Sequence, residues 1–271
     1  MTMPSGGSPP ANPKPPPEPE LDVSGRDALA ELVLSVADDE FVIGFWDSEW
    51  TGIAPMLEED VATSSIAQDE IGHARALYEL LATLTGDDAD QIAFGRDAAA
   101  YRHATLLDHA RGDWAFSVAR RWLYETADAV RLAALARSSW APLAQLTAKM
   151  RREETYHRMH ADVWVRRLSD GPPDVRARLV DALMRLWNDA QDVFAPLAAE
   201  EELLRHGYLP EPMRALHATW QADVRPVLAL IVADLPAAAP RVDGRTRHTG
   251  DFDWLHGQFT MVARSEVGAT W

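Results

Sequence analysis

Apolar residues recur three and four positions apart along most of the chain, and no stretch alternates apolar and polar residues as a half-buried strand would. The pattern predicts helices throughout. A first long helix starts after Ser24, a good N-cap, and runs to about Trp50, where Thr51-Gly52 and Pro55 break it. A second spans about Met56 to Thr85 and stops at Gly86. A long crossover from Gly86 to Gly112 leads to a third, about Asp113 to Arg137. After Ser138-Ser139, with Pro142 near its first turn, a fourth runs to about Leu168 and ends at Ser169-Asp170-Gly171-Pro172. Two more are predicted, about Val175 to His206 and Glu211 to Asp234. Leu235 to Trp271 is interrupted by Pro, Gly and charge and leaves room for one short helix. Four long helices in two short-turn pairs, joined by one longer crossover, predict a four-helix bundle with additional C-terminal helices packed around it.

Some polar residues fall on the apolar stripes. Glu40 lies on the face of Val33, Val36 and Ile43; Glu70 and His73 interrupt the stripe of Ile66, Leu77, Leu80 and Leu84. Glu125 shares a face with Val118, Trp122, Ala129 and Leu132, and Glu154 and His157 interrupt Leu143, Met150, Ala161 and Trp164. Each long helix therefore points one Glu inward, and the second and fourth add a His three residues later. The offsets repeat: Glu40 to Glu70 is 30 residues and Glu125 to Glu154 is 29, while Glu70 to Glu154 is 84 and Glu40 to Glu125 is 85.

Three residues at about 100° each return to nearly the same face, so one helix can offer both a carboxylate oxygen and an imidazole nitrogen to one ion. A single E-x-x-H carries little weight in a Glu-rich helical chain. Two of them, matched by two solitary inward Glu residues at equal offsets, predict a metal site made of Glu40, Glu70, His73, Glu125, Glu154 and His157. Four carboxylates in one core would each cost several kcal/mol if left unpaired, and the stripes offer no four inward Lys or Arg to pair with them. Two divalent cations would cancel that charge. Oxygen and imidazole donors without thiolates suit two iron ions, with manganese as the substitute, and this is the ferritin-like carboxylate pattern. Among the neighbours, Asp69 reads as a solvated residue, although a carboxylate there could accept a hydrogen bond from a ligand His. Glu153 reads as a solvated residue, His160 as a helix-edge histidine, and Tyr124 and Tyr156 as packing residues. Trp46 and Trp50 are candidates for lining a cavity.

Composition narrows the class. A formal net charge of -16 without a basic stripe excludes a general nucleic-acid binder, and 47% hydrophobic residues are ample for a core. There is no cysteine, hence neither a disulfide framework nor a thiolate nucleophile. No apolar run approaches a membrane span and the N-terminus lacks a secretory apolar region, so a cytoplasmic protein is expected. Met1 to Pro19 is Pro-rich with almost nothing to bury and reads as disordered, which sets the division at a tail of residues 1–23 and one helical domain of residues 24–271.

The stretch from Glu49 to Ala62, with Glu49, Trp50, Gly52, Ala54, Pro55, Leu57, Glu58 and Asp60, followed by Asp69, Gly72, Ala74 and Arg75, resembles the ferritin-like small subunits of bacterial phenylacetyl-CoA ring epoxidases. The similarity is strongest to the C-type chain of that family and takes in Glu153 to His157, Leu186-Trp187 and the closing Trp271. It implies a cytoplasmic multisubunit monooxygenase of phenylacetate catabolism, with a catalytic A-type subunit and a reductase as partners and an aromatic CoA thioester as substrate. C-type subunits of that family lack most metal ligands and support the A-type chain. Here all six are present, so the resemblance implies a scaffold while the residues imply a working di-iron site. A non-catalytic supporting subunit and a stand-alone ferritin-like di-iron oxidase stay open as alternatives, and self-association is a further expectation.

Overall fold

The computed structural model describes residues 21–265, and within them the protein is an all-α bundle of the ferritin-like kind. The Pro-rich segment expected to be disordered, and the closing Trp271, lie outside the described residues. The bundle consists of α1 (Val23–Ser48), α2 (Leu57–Thr85), α4 (Trp114–Leu135) and α5 (Ala141–Ser169), with α1 packed along α2 and α4 along α5. The crossover between the pairs holds a short α3 (Ala89–Phe94) and two 3-10 turns at Ala98–Ala100 and Thr105–Leu107.

Local chemistry sets the helix ends. The Asp22 carboxylate, rather than Ser24, caps α1 by accepting from the Gly25 amide at 2.7 Å. The turn after α1 passes through Gly52 at φ 83°, and α2 closes on Gly86 at φ 81°, left-handed conformations that cost Gly little. Asp113 caps α4 through the Phe116 amide at 2.9 Å. No helix of the described residues is long and apolar enough to cross a membrane.

Beyond the bundle, α6 (Pro173–Ala190) lies on α4 and α5, α7 (Glu200–His206) on α1, α8 (Met213–Leu228) on α4, and α9 (Gly250–Ser265) on α1 and α3. The continuous helix expected over residues 175–206 is broken in two. A 3-10 turn at Gln191–Phe194 ends α6, and Pro196, with no N–H to donate and a steric demand for an extended Ala195 before it, prevents continuation. The C-terminal segment is also more ordered than its composition predicts. Helix α9 is 16 residues long and buries Phe252, Leu255 and Phe259, with Phe259 edge-on to Phe41 at 5.0 Å. The large apolar side chains left exposed lie chiefly at the start of α2 (Leu57, Val61), on the outer face of α5 (Tyr156, Met159, Val163) and on α9 (Trp254, Met261, Val262), rather than on α1.

Helix α1 is buried almost all round, and three successive acidic residues on it, Asp38, Asp39 and Glu40, are fully enclosed. Successive residues point about 100° apart, so each meets a different neighbour. Asp38 accepts from Arg96 Nη1 at 2.9 Å, Tyr78 at 2.6 Å and the Arg102 amide at 2.6 Å. Asp39 is held by Arg131, Arg245 and the Ala104 amide. Glu40 faces α2 and α4. Only Glu40 was expected inward.

Helices α1 and α2 approach each other tightly at Gly44. A Cβ there would stand 2.8 Å from Ile71 Cγ1, 3.0 Å from Glu70 Cβ and 3.2 Å from the Ala67 carbonyl oxygen. The carbonyl belongs to the helix backbone and cannot rotate away, so Gly44→Ala is expected to push α2 outward beside Glu70. We expect a loss of about 1–3 kcal/mol, as overpacking typically costs, in the urea midpoint; an unchanged midpoint would show that the pair adjusts freely.

Candidate metal centre

The six residues singled out by the repeat come from the four bundle helices and meet in the middle of the bundle: Glu40 from α1, Glu70 and His73 from α2, Glu125 from α4, and Glu154 and His157 from α5. All are buried. Their donor atoms fall into two overlapping groups, Glu40, Glu70, His73 and Glu154 on one side and Glu70, Glu125, Glu154 and His157 on the other. Within each group one donor atom per residue lies within 4.8 Å of all the others. Glu70 and Glu154 belong to both. Glu70 Oε2 faces His73 Nδ1 at 3.9 Å and Oε1 faces His157 Nδ1 at 3.4 Å, while Glu154 Oε1 stands 3.2 Å from His73 Nδ1 and 3.4 Å from His157 Nδ1.

The two histidines are held in mirrored fashion. Each turns Nδ1 toward the carboxylates and Nε2 outward to the acidic residue that precedes the inward Glu on the opposite helix. His73 Nε2 reaches Glu153 at 2.7 Å, and His157 Nε2 reaches Asp69 at 3.3 Å. The working repeat is thus acidic-Glu-x-x-His, read across the α2–α5 pair. An outward carboxylate fixes the N–H on Nε2 and leaves the Nδ1 lone pair for an ion. Both acids read as solvated in the sequence, with this contact an alternative for Asp69 alone; Asp69 makes it to His157 and Glu153 to His73. Tyr124 also does more than pack: its hydroxyl donates to Glu40 Oε1 at 2.8 Å and accepts from Arg131 Nη2 at 3.1 Å. His160 instead bonds to Glu59 at 2.7 Å, Tyr156 is exposed, and the Trp46 indole is fixed on the Leu107 carbonyl at 2.9 Å.

The absence of inward cations expected from the sequence does not hold. Arg121, one turn before Glu125 on α4, is buried and donates to Glu70 Oε1 at 3.0 Å and to Glu125 Oε1, with Asp47 as its other partner. Arg120, Arg131 and Arg245 are buried too. Arg121 lies three residues after Val118 and four before Glu125, so its spacing on α4 does mark it as inward, whereas Arg245 sits in the C-terminal segment where no helical stripe is read.

One guanidinium does not neutralise this cluster. Burial pushes the Glu70 carboxyl well above its usual range, and the neighbouring Glu154, Glu40 and Glu125 push it further. Glu125 is raised by burial and by Glu154, against Arg121. Burial acts to raise Glu154 too, but the imidazoles of His157 and His73 close beside it hold it below the usual carboxylate range. Burial lowers His73, yet Glu154 and Glu40 lift it to about 11. The cluster on its own therefore gathers protons, as expected where anionic donors lack a cation. Glu70 Oε2, Glu125 Oε2, both oxygens of Glu154 and His157 Nδ1 are buried without a hydrogen-bond partner. Five orphaned acceptors of oxygen and imidazole type around one volume fit divalent ions such as iron or manganese.

A second acid–histidine group lies away from the centre and was not foreseen. Asp108 bonds to His103 Nε2 at 2.6 Å, to His248 Nδ1 at 3.1 Å and to the Thr249 amide, with the two rings stacked 4.4 Å apart. It clasps the crossover to the segment that leads into α9.

The chain is similar to known proteins of one family. The chain is 29% identical over 197 residues to the C-type subunit of the 1,2-phenylacetyl-CoA epoxidase of Escherichia coli (strain K12), covering 72% of this chain and 79% of that protein. It is 27% identical over 174 residues to the A-type subunit of the same epoxidase, covering 63% of this chain and 55% of that protein. The profile of the family described as "Phenylacetic acid catabolic protein" matches residues 16–271, and the chain belongs to that family.

Proposed function

We propose that this chain is a C-like component of an aromatic CoA-thioester epoxidase and that Glu40, Glu70, His73, Glu125, Glu154 and His157 hold a carboxylate-bridged pair of iron ions, with manganese as the substitute. The observation that carries the reading is the mirrored pair of acidic-Glu-x-x-His motifs around buried, unpartnered acceptors. Glu70 and Glu154, each facing both histidines, are the bridging candidates. A bound iron pair supplies reductive O₂ activation: one oxygen atom enters the aromatic ring and the other leaves as water, for two electrons and two protons. A chain without cysteine has no thiolates to hold an iron–sulfur relay, so the electrons come from a separate reductase.

The protein's own groups support that chemistry. Asp69 and Glu153 orient the two imidazoles, and Tyr124 with Arg131 steadies the outer oxygen of Glu40. A cleft of about 660 Å³ between α4, α5 and α8 reaches Glu154, with Ala129, Val130 and Ala133 as an apolar wall and with Arg137 and Arg158 paired to Glu211 and Asp162 along its length. It offers a path for a flat apolar ring along its alanine and valine wall.

A supporting role beside an A-type partner is the second reading, favoured by Arg121 bonded to two of the four carboxylates. His73→Ala separates the two. Assembled with an A-type partner, reductase, iron and a phenylacetyl-CoA-like thioester, an active centre predicts that the variant loses most of the O₂ consumption attributable to this chain, about 10²-fold or more for a lost ligand. Unchanged turnover by the complex would assign the chain to the supporting role.

A further inference from the structure

The two halves of the centre are not equivalent. In the half built on His157, Arg121 Nη1 donates to Glu70 Oε1, the oxygen that faces His157 Nδ1, and also to Glu125 Oε1. In the half built on His73, no guanidinium among the described residues touches the inner carboxylate oxygens; Arg131 comes no nearer than 4.0 Å, to the outer oxygen Glu40 Oε1. Arg121 is tethered on its far side by Asp47 of α1. Behind that pair lies a small cavity lined by Trp50, Trp114, Trp164, Thr63, Ser117 and His160.

We propose that Arg121 is a built-in cation competing for the His157 half, so that the centre loads in order: a first divalent ion on Glu40, Glu70, His73 and Glu154, and a second only as Arg121 gives up Glu70 and Glu125 and rests on Asp47. This rests on the reading of the six side chains as a two-ion site. The reason is Coulombic. An ion in the His73 half meets carboxylates whose inner oxygens carry no other positive charge, whereas an ion in the His157 half shares two carboxylates with a guanidinium at hydrogen-bond distance and meets its repulsion in a dry interior. Asp47 sets how readily Arg121 withdraws, because it provides the counter-charge away from the centre. Arg121 is a positioning residue here, acting on the ions through Glu70 and Glu125.

The test is a titration of the full chain with Mn(II), followed by calorimetry and by electron paramagnetic resonance, where a lone Mn(II) gives a six-line signal and a neighbouring pair gives a broad coupled one. The wild type should bind the second ion about 10–100-fold more weakly than the first, the scale on which groups bonded to ligands tune affinity, and the six-line signal of a singly loaded centre should accumulate at one equivalent. Arg121→Gln keeps a donor but removes the charge and should bring the two affinities together, with the coupled signal present from the first additions. Asp47→Asn should move the other way, because Arg121 then has no anion but Glu70 and Glu125 to rest on. Two equal affinities in the wild type, or a gap that neither variant changes, would overturn the inference while leaving the two-ion reading intact. Failure of the wild type and both variants to bind Mn(II) or Fe(II) at all would overturn both.

Discussion

Glu154→Ala is expected to empty the centre of both ions at once. Glu154 belongs to both donor groups, its Oε1 lies within 3.4 Å of both histidine Nδ1 atoms, and neither of its oxygens has a hydrogen-bond partner. Groups that merely orient a ligand cost about 10–100-fold in metal affinity when lost, so removal of a shared ligand should cost more than about 100-fold. Iron content after loading and gel filtration is the measurement, and the variant should return no tightly held iron. The fold should survive, because Glu70 and Glu125 lose the like-charged neighbour that pushes them up while the two imidazoles lose a counter-charge, two opposed effects. Glu153→Ala provides the graded comparison: it leaves every inward donor in place and loosens only the His73 ring. A Glu154→Ala protein that kept the wild-type iron content would sink the assignment.

Arg245→Ala is expected to be the most destabilising single change outside the centre. Arg245 Nη1 donates to Asp39 Oδ1 at 3.1 Å, the Ser35 carbonyl at 3.2 Å and the Arg102 carbonyl at 2.9 Å; Nη2 donates to Asp39 Oδ2 at 3.0 Å and the Val193 carbonyl at 2.7 Å. One buried side chain thus ties α1, the crossover and the turn after α6 to the C-terminal segment. Burial alone would raise the Asp39 carboxyl; Arg245 and Arg131 together hold it below the usual carboxylate range. Taking away one partner of a buried pair leaves an under-compensated charge and costs about 3–5 kcal/mol. At about 2–4 °C per kcal/mol for chains near this size, the Tm should fall by at least about 6 °C. Because the folded Asp39 pKa is depressed, its contribution is present above the unfolded value of 3.8 and fades as the pH falls through the folded one. The deficit should therefore narrow in acid. Arg247→Ala, two residues on at an exposed position, should leave the Tm within experimental scatter; equal losses in the two variants would rule out this role for Arg245.

Such groups divide what could be read along the chain from what could not. The six inward residues were visible because a helix repeats every 3.6 residues: a carboxylate on an apolar stripe stands out one residue at a time, and the two-fold offset linking Glu40–Glu70 to Glu125–Glu154 needs no contact to be seen. Asp38 and Asp39 escaped the same test. A helix buried on all sides has no polar face to contrast with, and their partners Arg96, Arg131 and Arg245 are 58, 92 and 206 residues away. Arg121 stands four residues before Glu125 on the same stripe, so its inward placement was legible; which carboxylates of other helices its guanidinium reaches was not. Glu153 looked solvated because its partner is not local: the residue one position before Glu154 on α5 meets a ring carried by α2.

The C-terminal segment, read as an interrupted tail with room for one short helix, is more ordered than that for the opposite reason. Its prolines, glycines and charges spoke against order, yet α9 packs Phe252 and Phe259 onto Tyr101 and Phe41, and Asp108 clasps His248 from 140 residues away. What the sequence by itself determined, through periodicity and capping chemistry, is the all-α bundle, the lengths of its four long helices and the inward face of each. Only the tertiary structure decided which buried charges meet, because ion pairs and imidazole tautomers are set by distances between helices that no local pattern encodes. The inequality of the two halves of the centre is of that second kind. It arises where Arg121 of α4 reaches Asp47 of α1 and Glu70 of α2 in the same interior space.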